Sequence, residues 1–211
     1  MTSLQTEPWT RQVERWPRSG RHILAQYDDA SIVVYQAYRL DLAEWAVEHQ
    51  RFGGSWSFKR MTWIKPNFLW MMFRCGWARK ENQERVLAIR LGRETFDQIL
   101  SVAMSSSAPE GVTAEEWSRR LQASDVRLQW DPDHGPGGER QARRAIQLGL
   151  RREAASSFAT EWILSIEDIT PLVHEQLAVL ESRGISELLT PLERVYVPES
   201  QVVRSHLRLD S

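Results

Sequence analysis

The chain has 211 residues, 42% of them hydrophobic and 26% charged, which suits one soluble domain of ordinary size. Its 27 basic and 28 acidic residues nearly cancel, so no overall field draws the molecule to nucleic acid or a membrane, and any anion recognition must be local. The single cysteine, Cys75, excludes an internal disulfide, and the five histidines are too scattered to predict a metal site. No apolar segment has the roughly 20 residues of a membrane span. The N-terminus lacks a signal-peptide pattern, so we expect no membrane partner and a cytoplasmic location.

The first quarter of the chain predicts an arm, a strand and a helix. Residues 1–20 are polar and are expected to form a flexible N-terminal arm. Ser31–Tyr38 is β-branched and aromatic, which favours a buried strand. Leu40–His49 combines apolar and acidic residues at helical spacing, and Gly53 with Gly54 then forces a turn.

A tryptophan-rich stretch follows, from residue 52 to residue 77. Pro66 restrains Lys65 to extended geometry and is tolerated in the first turn of a helix. A short, largely buried helix is therefore predicted over residues 67–75, ended by Gly76. The tryptophans on the two sides of Pro66 cannot belong to one continuous coiled coil.

The remaining elements mix strands and helices without a regular βαβ rhythm. In chain order they are a strand at 85–91, a helix at 93–104, a capped helix at 113–121, a strand at 126–130, a loop at 131–138, an ambiguous segment at 140–150 with a strand favoured at 145–150, a strand at 162–166, a helix at 170–183, a strand at 194–197 and a C-terminal tail at 199–211. This order predicts an α+β fold: a single compact domain over residues 21–198, with a mixed or antiparallel sheet flanked by helices.

The first group of candidate functional residues lies at the end of the first strand. Tyr38 and Arg39 stand where the strand ends, so Arg39 could project into a cleft. The alternative is structural. Asp28 and Asp29 would begin a turn, and Arg39 would pair with Asp41 on the surface.

The second group lies within residues 55–65. Ser57, Lys59, Arg60, Thr62 and Lys65 supply the hydroxyl and cationic donors that a phosphate needs. An adjacent tryptophan, Trp56 or Trp63, could stack on a base. The alternative is that these aromatic residues are simply core. Cations every few residues favour function here, because they are costly to bury.

The third group begins at the Asp-Pro-Asp-His sequence of residues 131–134. Arginines follow it at positions 140, 143, 144, 151 and 152, which indicates either an anionic ligand or an ordered network of salt bridges. His134 could act as a general acid or base, and Arg144 could bind phosphate. Glu161, beside a predicted strand, is the best candidate for a catalytic carboxylate.

Four blocks of sequence resemble a bacterial and fungal family known as domain of unknown function 4291. They are AQYDDASIVVYQAY at 25–38, RMTWIKPNFLWMM at 60–72, QWDPDH at 129–134 and RAIQLGL at 144–150. The resemblance extends from about residue 20 to residue 198. It implies no activity, because the family is defined without one.

A weaker resemblance is to the ADP-ribosyltransferase fold. Tyr38-Arg39 is similar to the aromatic-arginine pair of those enzymes, and residues 55–62 resemble their serine- and threonine-rich strand. The likeness implies NAD as a possible cofactor and Glu161 as the glutamate of a later strand. RNA 2′-phosphotransferases of related fold use arginine and histidine, which would fall on Arg39, Arg60, His134 and Arg144.

Three hypotheses follow for the function. The chain could be a transferase acting on NAD or a nucleic-acid phosphate, with Arg39 holding phosphate and Glu161 or His134 assisting transfer. It could instead be a binding module for a nucleotide or single-stranded RNA, or a structural domain with a tryptophan-rich core. Convergence of Arg39, Arg60, Lys65 and Arg144 on one cleft would favour the first two.

Overall fold

The protein is described by a computed structural model of residues 3–210. The strands are β1 (Thr6–Pro8), β2 (Gly20–Arg21), β3 (Ile23–Ala25), β4 (Ser31–Tyr38), β5 (Thr62–Ile64), β6 (Arg85–Gly92), β7 (Met104–Ser105), β8 (Val126–His134), β9 (Arg140–Leu150), β10 (Ile163–Asp168), β11 (Leu189–Pro191) and β12 (Arg194–Tyr196). The helices are α1 (Trp9–Val13), α2 (Leu40–His49), α3 (Phe68–Cys75), α4 (Arg93–Ser101), α5 (Ala114–Ala123), α6 (Arg152–Ser157), α7 (Thr170–Arg183) and α8 (Gln201–Leu207). A π-helical turn covers Phe158–Trp162 and a 3₁₀ turn covers Ile185–Glu187.

Two main sheets carry the architecture. Strands β10, β6 and β4 form an antiparallel sheet in that order. A second, mixed sheet runs β2-β9-β8-β7, with β5 also paired to β9. In it β8, β9 and β5 are antiparallel neighbours, whereas β2 and β7 join in parallel. The predicted α+β class with a mixed sheet is confirmed.

The two sheets meet at the backbones of Tyr35 and Lys65. Tyr35 N–H donates to the Lys65 carbonyl at 2.7 Å, and Lys65 N–H donates to the Tyr35 carbonyl at 3.3 Å. Strand β5 pairs with β9 up to Ile64, so the chain passes directly from one sheet to the other. The residues of β5 therefore lie beside the end of β4.

Strand β4 is buried on both faces, as its continuous apolar sequence predicts. Its side chains alternate: Ile32 and Val34 pack into the larger core cluster, and Val33 and Tyr35 into a second one beneath α3. The strand thus separates two cores.

Local signals place α2 and α3 where the sequence predicts them. Helix α2 covers Leu40–His49. The Asn67 side chain caps α3 by accepting a hydrogen bond from Trp70 N–H at 2.6 Å. Gly76 ends that helix with a φ of +59°, a conformation that glycine adopts at low cost.

Residues 3–20 differ from the flexible arm that the sequence predicts. Strand β1 pairs with β11, and Gln12 of α1 is fully buried. The Gln12 side chain donates to the Thr190 hydroxyl at 2.9 Å and accepts from Glu193 N–H at 2.8 Å. These bonds hold the N-terminal segment against residues far along the chain.

The end of the chain also differs from its prediction. Residues 201–207 of the expected tail form α8, whose Val203 and Leu207 are buried in the larger core. The Asp210 carboxylate accepts a hydrogen bond from Arg21 N–H at 2.7 Å. Two apolar residues four positions apart, on one face of a helix, are the feature that the prediction missed.

Two boundaries in the middle of the chain need correction. Residues 131–134, predicted as a loop, extend β8, because β9 pairs with it from residue 150 to residue 140. Helix α4 ends at Ser101 rather than near residue 104, because Met104 and Ser105 pair with β8. Within residues 3–210 no helix is long and apolar enough to cross a bilayer.

Candidate functional site

A pocket of about 720 Å³ lies where the end of β4, the segment before β5, β5 itself and α3 meet. We call it the cationic pocket. Eight of the residues predicted to serve function line it: Tyr38, Arg39, Trp56, Ser57, Arg60, Thr62, Trp63 and Lys65. The junction of the two sheets brings them together, since it sets β5 against the end of β4.

Four positive side chains line this pocket: Arg39, Arg60, Lys65 and Arg74. No aspartate or glutamate is among its lining residues, all of which lie within the described chain. Arg39 forms an ion pair with the exposed Asp41 at 2.6 Å, which is the surface pairing given above as the structural alternative. Arg39 nevertheless lines the pocket. Within residues 3–210, Arg60 and Arg74 have no carboxylate at ion-pair distance. The pocket therefore carries local positive charge that the near-neutral chain as a whole does not.

Lys65 is the most deeply buried of these cations, with 7% of its surface exposed. Its Nζ donates to the Trp63 carbonyl at 3.3 Å, a long hydrogen bond to a neutral group. Burial lowers the pKa of Lys65 to about 8, and the positive charge of Arg74 acts in the same direction. A fraction of this amine is therefore neutral near physiological pH.

The floor of the pocket is a network of neutral polar groups. Tyr38 OH accepts from Trp56 Nε1–H and donates to Gln36 Oε1, both at 3.1 Å. Gln36 Nε2 donates to the Thr62 hydroxyl at 2.6 Å. Burial raises the pKa of Tyr38, so its hydroxyl stays protonated. The network fixes the end of β4 to β5.

The two candidate stacking residues differ in availability. Trp56 is only 6% exposed; its ring stacks on Phe52 and meets Phe58 edge-on. Trp63 is half-buried and lies over Gly149, where an added Cβ would come 3.0 Å from the ring. Trp63 is thus the better placed of the two to contact a ligand.

The segment before β5 is not the strand that the resemblance implied. Residues 53–61 form turns and bends, and pairing begins at Thr62, the first residue of β5. Phe52 and Trp56 insert into the larger core, which bends the chain between them. Ser57 and Arg60 consequently sit on exposed turns at the rim of the pocket.

Arg144, His134 and Glu161 do not line the cationic pocket. Arg144 lines a separate pocket of about 650 Å³ together with Arg21 and Arg208. Glu161 is exposed on the π-helical turn. Of the four residues whose convergence would favour the first two hypotheses, Arg39, Arg60 and Lys65 line this pocket and Arg144 does not.

His134 is not a solvated loop residue. It is 6% exposed and stacks on Phe73, with ring centroids 3.6 Å apart, and on Trp70 at 5.3 Å. Burial lowers its pKa, which favours the neutral ring. The neighbouring Asp133 forms a buried ion pair with Arg143 at 2.5 Å. Of the two alternatives for this arginine-rich region, the ordered salt bridge is the one found at Arg143.

Two further lining residues, Gln36 and Arg74, are absent from the predicted site residues. Gln36 lies on β4 two residues before Tyr38, and its place in the network depends on β5. Arg74 was assigned to a buried helix, although it is exposed and lies near the Trp70 ring, 6.0 Å from its centroid. The signal available was the presence of one charged residue in an otherwise apolar helix.

Comparison with protein families gives one match. The family model described as domain of unknown function (DUF4291) matches residues 22–196, which includes the whole lining of the cationic pocket. No curated protein matches the chain. The match covers most of the 211 residues, and the chain belongs to the DUF4291 family.

Proposed function

We propose that the cationic pocket binds a phosphorylated ligand of the nucleotide type. The observation that carries this proposal is the presence of four cations, and no carboxylate, among the residues that line one pocket of about 720 Å³. Arginine forks and a lysine ammonium match phosphate oxygens in charge and hydrogen bonding. The volume lies within the roughly 300–1,000 Å³ typical of small-ligand sites.

The arrangement suggests how such a ligand would lie. Arg60 and Arg74 are free to contact phosphate, because neither is held by a carboxylate within the described chain. The half-buried face of Trp63 offers a surface for a base, a contact worth roughly 1–3 kcal/mol. The hydroxyls of Ser57 and Thr62 provide further polar contacts in the same pocket.

A second candidate is transfer chemistry on NAD or a nucleic-acid phosphate, of the ADP-ribosyltransferase or RNA 2′-phosphotransferase type. It is favoured by the position of Tyr38 and Arg39 in the pocket beside Thr62. The carboxylate that ADP-ribosyl transfer would take from Glu161 lies outside the lining. His134, which transfer of the RNA 2′-phosphotransferase type would require, also lies outside the lining. Binding is therefore the better supported function.

Ligand titration tests the proposal. ADP, NAD and a short single-stranded RNA with or without a terminal 2′-phosphate would be added while tryptophan fluorescence and heat of binding are followed. We expect saturable binding of at least one phosphorylated ligand, weakened about tenfold in Arg60→Ala, the cost of one charged hydrogen bond. Arg119→Ala is the matched control, since Arg119 is exposed on α5 away from the pocket.

Two results would contradict binding at this pocket. One is the absence of any saturable signal with all four ligands; the other is an equal loss in Arg60→Ala and Arg119→Ala. Nicotinamide release from bound NAD that disappears in Arg39→Ala would move the conclusion from binding to transfer. Release that persists in Arg39→Ala would exclude that residue from the reaction.

A further inference from the structure

The cationic pocket contains an amine unlike the other lysines of the chain. Only three of the 27 basic residues are lysines: Lys59, Lys65 and Lys80. Lys59 and Lys80 are exposed, whereas Lys65 is 7% exposed and lines the pocket. An arginine would serve better for simple phosphate binding, because it stays charged when buried.

The position of Lys65 is fixed by backbone pairing rather than by its charge. Its N–H and carbonyl both pair with Tyr35, so the base of the side chain cannot move without separating the two sheets. The amine itself has one long bond, 3.3 Å to the Trp63 carbonyl, and no carboxylate within ion-pair distance in the described chain. A buried amine held in place but weakly bonded is available as a nucleophile.

We propose that Lys65 captures the open-chain aldehyde of a phosphorylated pentose, such as ADP-ribose or ribose 5-phosphate, as an imine. This inference rests on the proposed function, because the arginines of the pocket must hold the phosphate while the amine reaches the carbonyl. Arg60 and Arg74 line the same pocket as Lys65 and supply those phosphate contacts. In this proposal Lys65 reacts with the aldehyde of the ligand, and the two arginines bind its phosphate.

The chemical step needs no further reactant. The lone pair of the neutral Nζ forms a bond to the aldehyde carbon, and one proton passes from the nitrogen to the carbonyl oxygen. The resulting carbinolamine loses its hydroxyl together with the second N–H proton as water, which leaves a carbon–nitrogen double bond. One water is released for each imine formed, and no oxidation or reduction occurs.

The surroundings of Lys65 favour the neutral amine. Arg74 on α3 opposes its positive charge, and Arg39 and Arg60 add to the positive potential from the other walls. Cys75 on α3 and Asp131 on β8 act in the opposite direction, and burial has the largest effect. The pKa of about 8 that results lies well below that of an exposed lysine, so imine formation should rise between pH 7 and 9.

Reductive trapping on the full-length protein tests this. The protein would be incubated at pH 7 to 9 with ribose 5-phosphate or ADP-ribose and cyanoborohydride, and the labelled lysine identified by peptide mass spectrometry. Ribose, which lacks phosphate, and ADP, which lacks an aldehyde, are the matched controls. We expect at least tenfold more adduct on Lys65 than on Lys59 or Lys80, competition by ADP, and loss of that adduct in Lys65→Met.

The outcomes separate this inference from the proposed function. If ADP binds but Lys65 is labelled no more than Lys59 and Lys80, the imine proposal is wrong and the binding proposal stands. If Lys65 is labelled equally by ribose and by ribose 5-phosphate, phosphate does not guide the reaction and the substrate class is wrong. Labelling that is selective for Lys65 and requires phosphate supports both proposals together.

Discussion

Tyr35 and Lys65 exchange two backbone hydrogen bonds, 2.7 and 3.3 Å long, at the point where the two sheets of the molecule meet. The pair sets the position of a buried amine by the geometry of two strands. Because Tyr35 is fully buried, the amine's attachment point is as rigid as the core itself.

Replacing Lys65 with methionine should stabilise the protein at neutral pH. The folded pKa is about 8 against 10.5 for the exposed side chain. The unfolded chain therefore binds more protons between these values, and wild-type stability rises through that window. At about 1.4 kcal/mol per pH unit, the advantage of Lys65→Met is about 3 kcal/mol at pH 7 and disappears near pH 10.5. Urea unfolding from pH 7 to 10.5 measures it. A difference in unfolding free energy between Lys65→Met and the wild type that does not change with pH would contradict this explanation. The same pH-dependent difference in Lys80→Met would also contradict it.

Tyr38→Phe should destabilise the fold by about 1–3 kcal/mol, the cost of leaving buried polar groups without partners. The hydroxyl accepts from Trp56 and donates to Gln36, so its loss frees both. Chemical denaturation measures the change, and Trp56 emission reports the altered contact. Ser57→Ala is the control: its side chain is exposed, and a change within about 0.5 kcal/mol is expected. Equal effects in the two variants would mean that the network does not stabilise the protein.

Asp133→Asn should cost about 3–5 kcal/mol, because it leaves the buried Arg143 guanidinium without its counter-charge. The comparison is Asp125→Asn, which removes the half-buried partner of the exposed Arg152 at 3.4 Å and should cost at most about 1 kcal/mol. Thermal and urea unfolding give both values. The account is wrong if the two substitutions cost the same.

Gln12→Leu should destabilise the protein by about 2–3 kcal/mol although Gln12 lies near the N-terminus. The leucine cannot satisfy Glu193 N–H or the Thr190 hydroxyl, both buried with it. Hydrogen exchange at the Glu193 amide should accelerate together with the loss of stability. Gln5→Leu, at an exposed position in the same segment, serves as the control. A loosely held N-terminal segment would instead make both substitutions neutral.

Local signals predicted the elements whose ends are set by their own residues. Asn67 and Gly76 bound α3 through a side-chain cap and a left-handed turn, both of which depend only on neighbouring residues. Such local signals do not predict the strand conformation of residues 131–134. Asp131-Pro-Asp-His has the composition of a loop and becomes strand because β9 pairs along its whole length.

The candidate site also contains some features that the sequence indicates and others that depend on distant partners. The hypothesis of one anionic ligand requires Arg39, Arg60 and Lys65 to meet, and the position of β5 beside the end of β4 brings them to one pocket. Arg144 has the same chemistry but lines another pocket, and Arg143 turns inward to Asp133. Whether an arginine in such a run contacts solvent, a carboxylate or a ligand depends on partners ten or more residues away, and the spacing of the arginines along the chain does not identify those partners.

The ion pair between Arg39 and Asp41 makes one wall of the cationic pocket different from the others. An anion that approaches Arg60 and Arg74 gains their attraction without breaking any existing pair, whereas one that approaches Arg39 must compete with an attached carboxylate. Capture would therefore begin at Arg60 and Arg74, and only a ligand with charge to spare would draw Arg39 away from Asp41. If the pocket binds phosphate as proposed, multiply charged ligands should engage Arg39 more readily than singly charged ones.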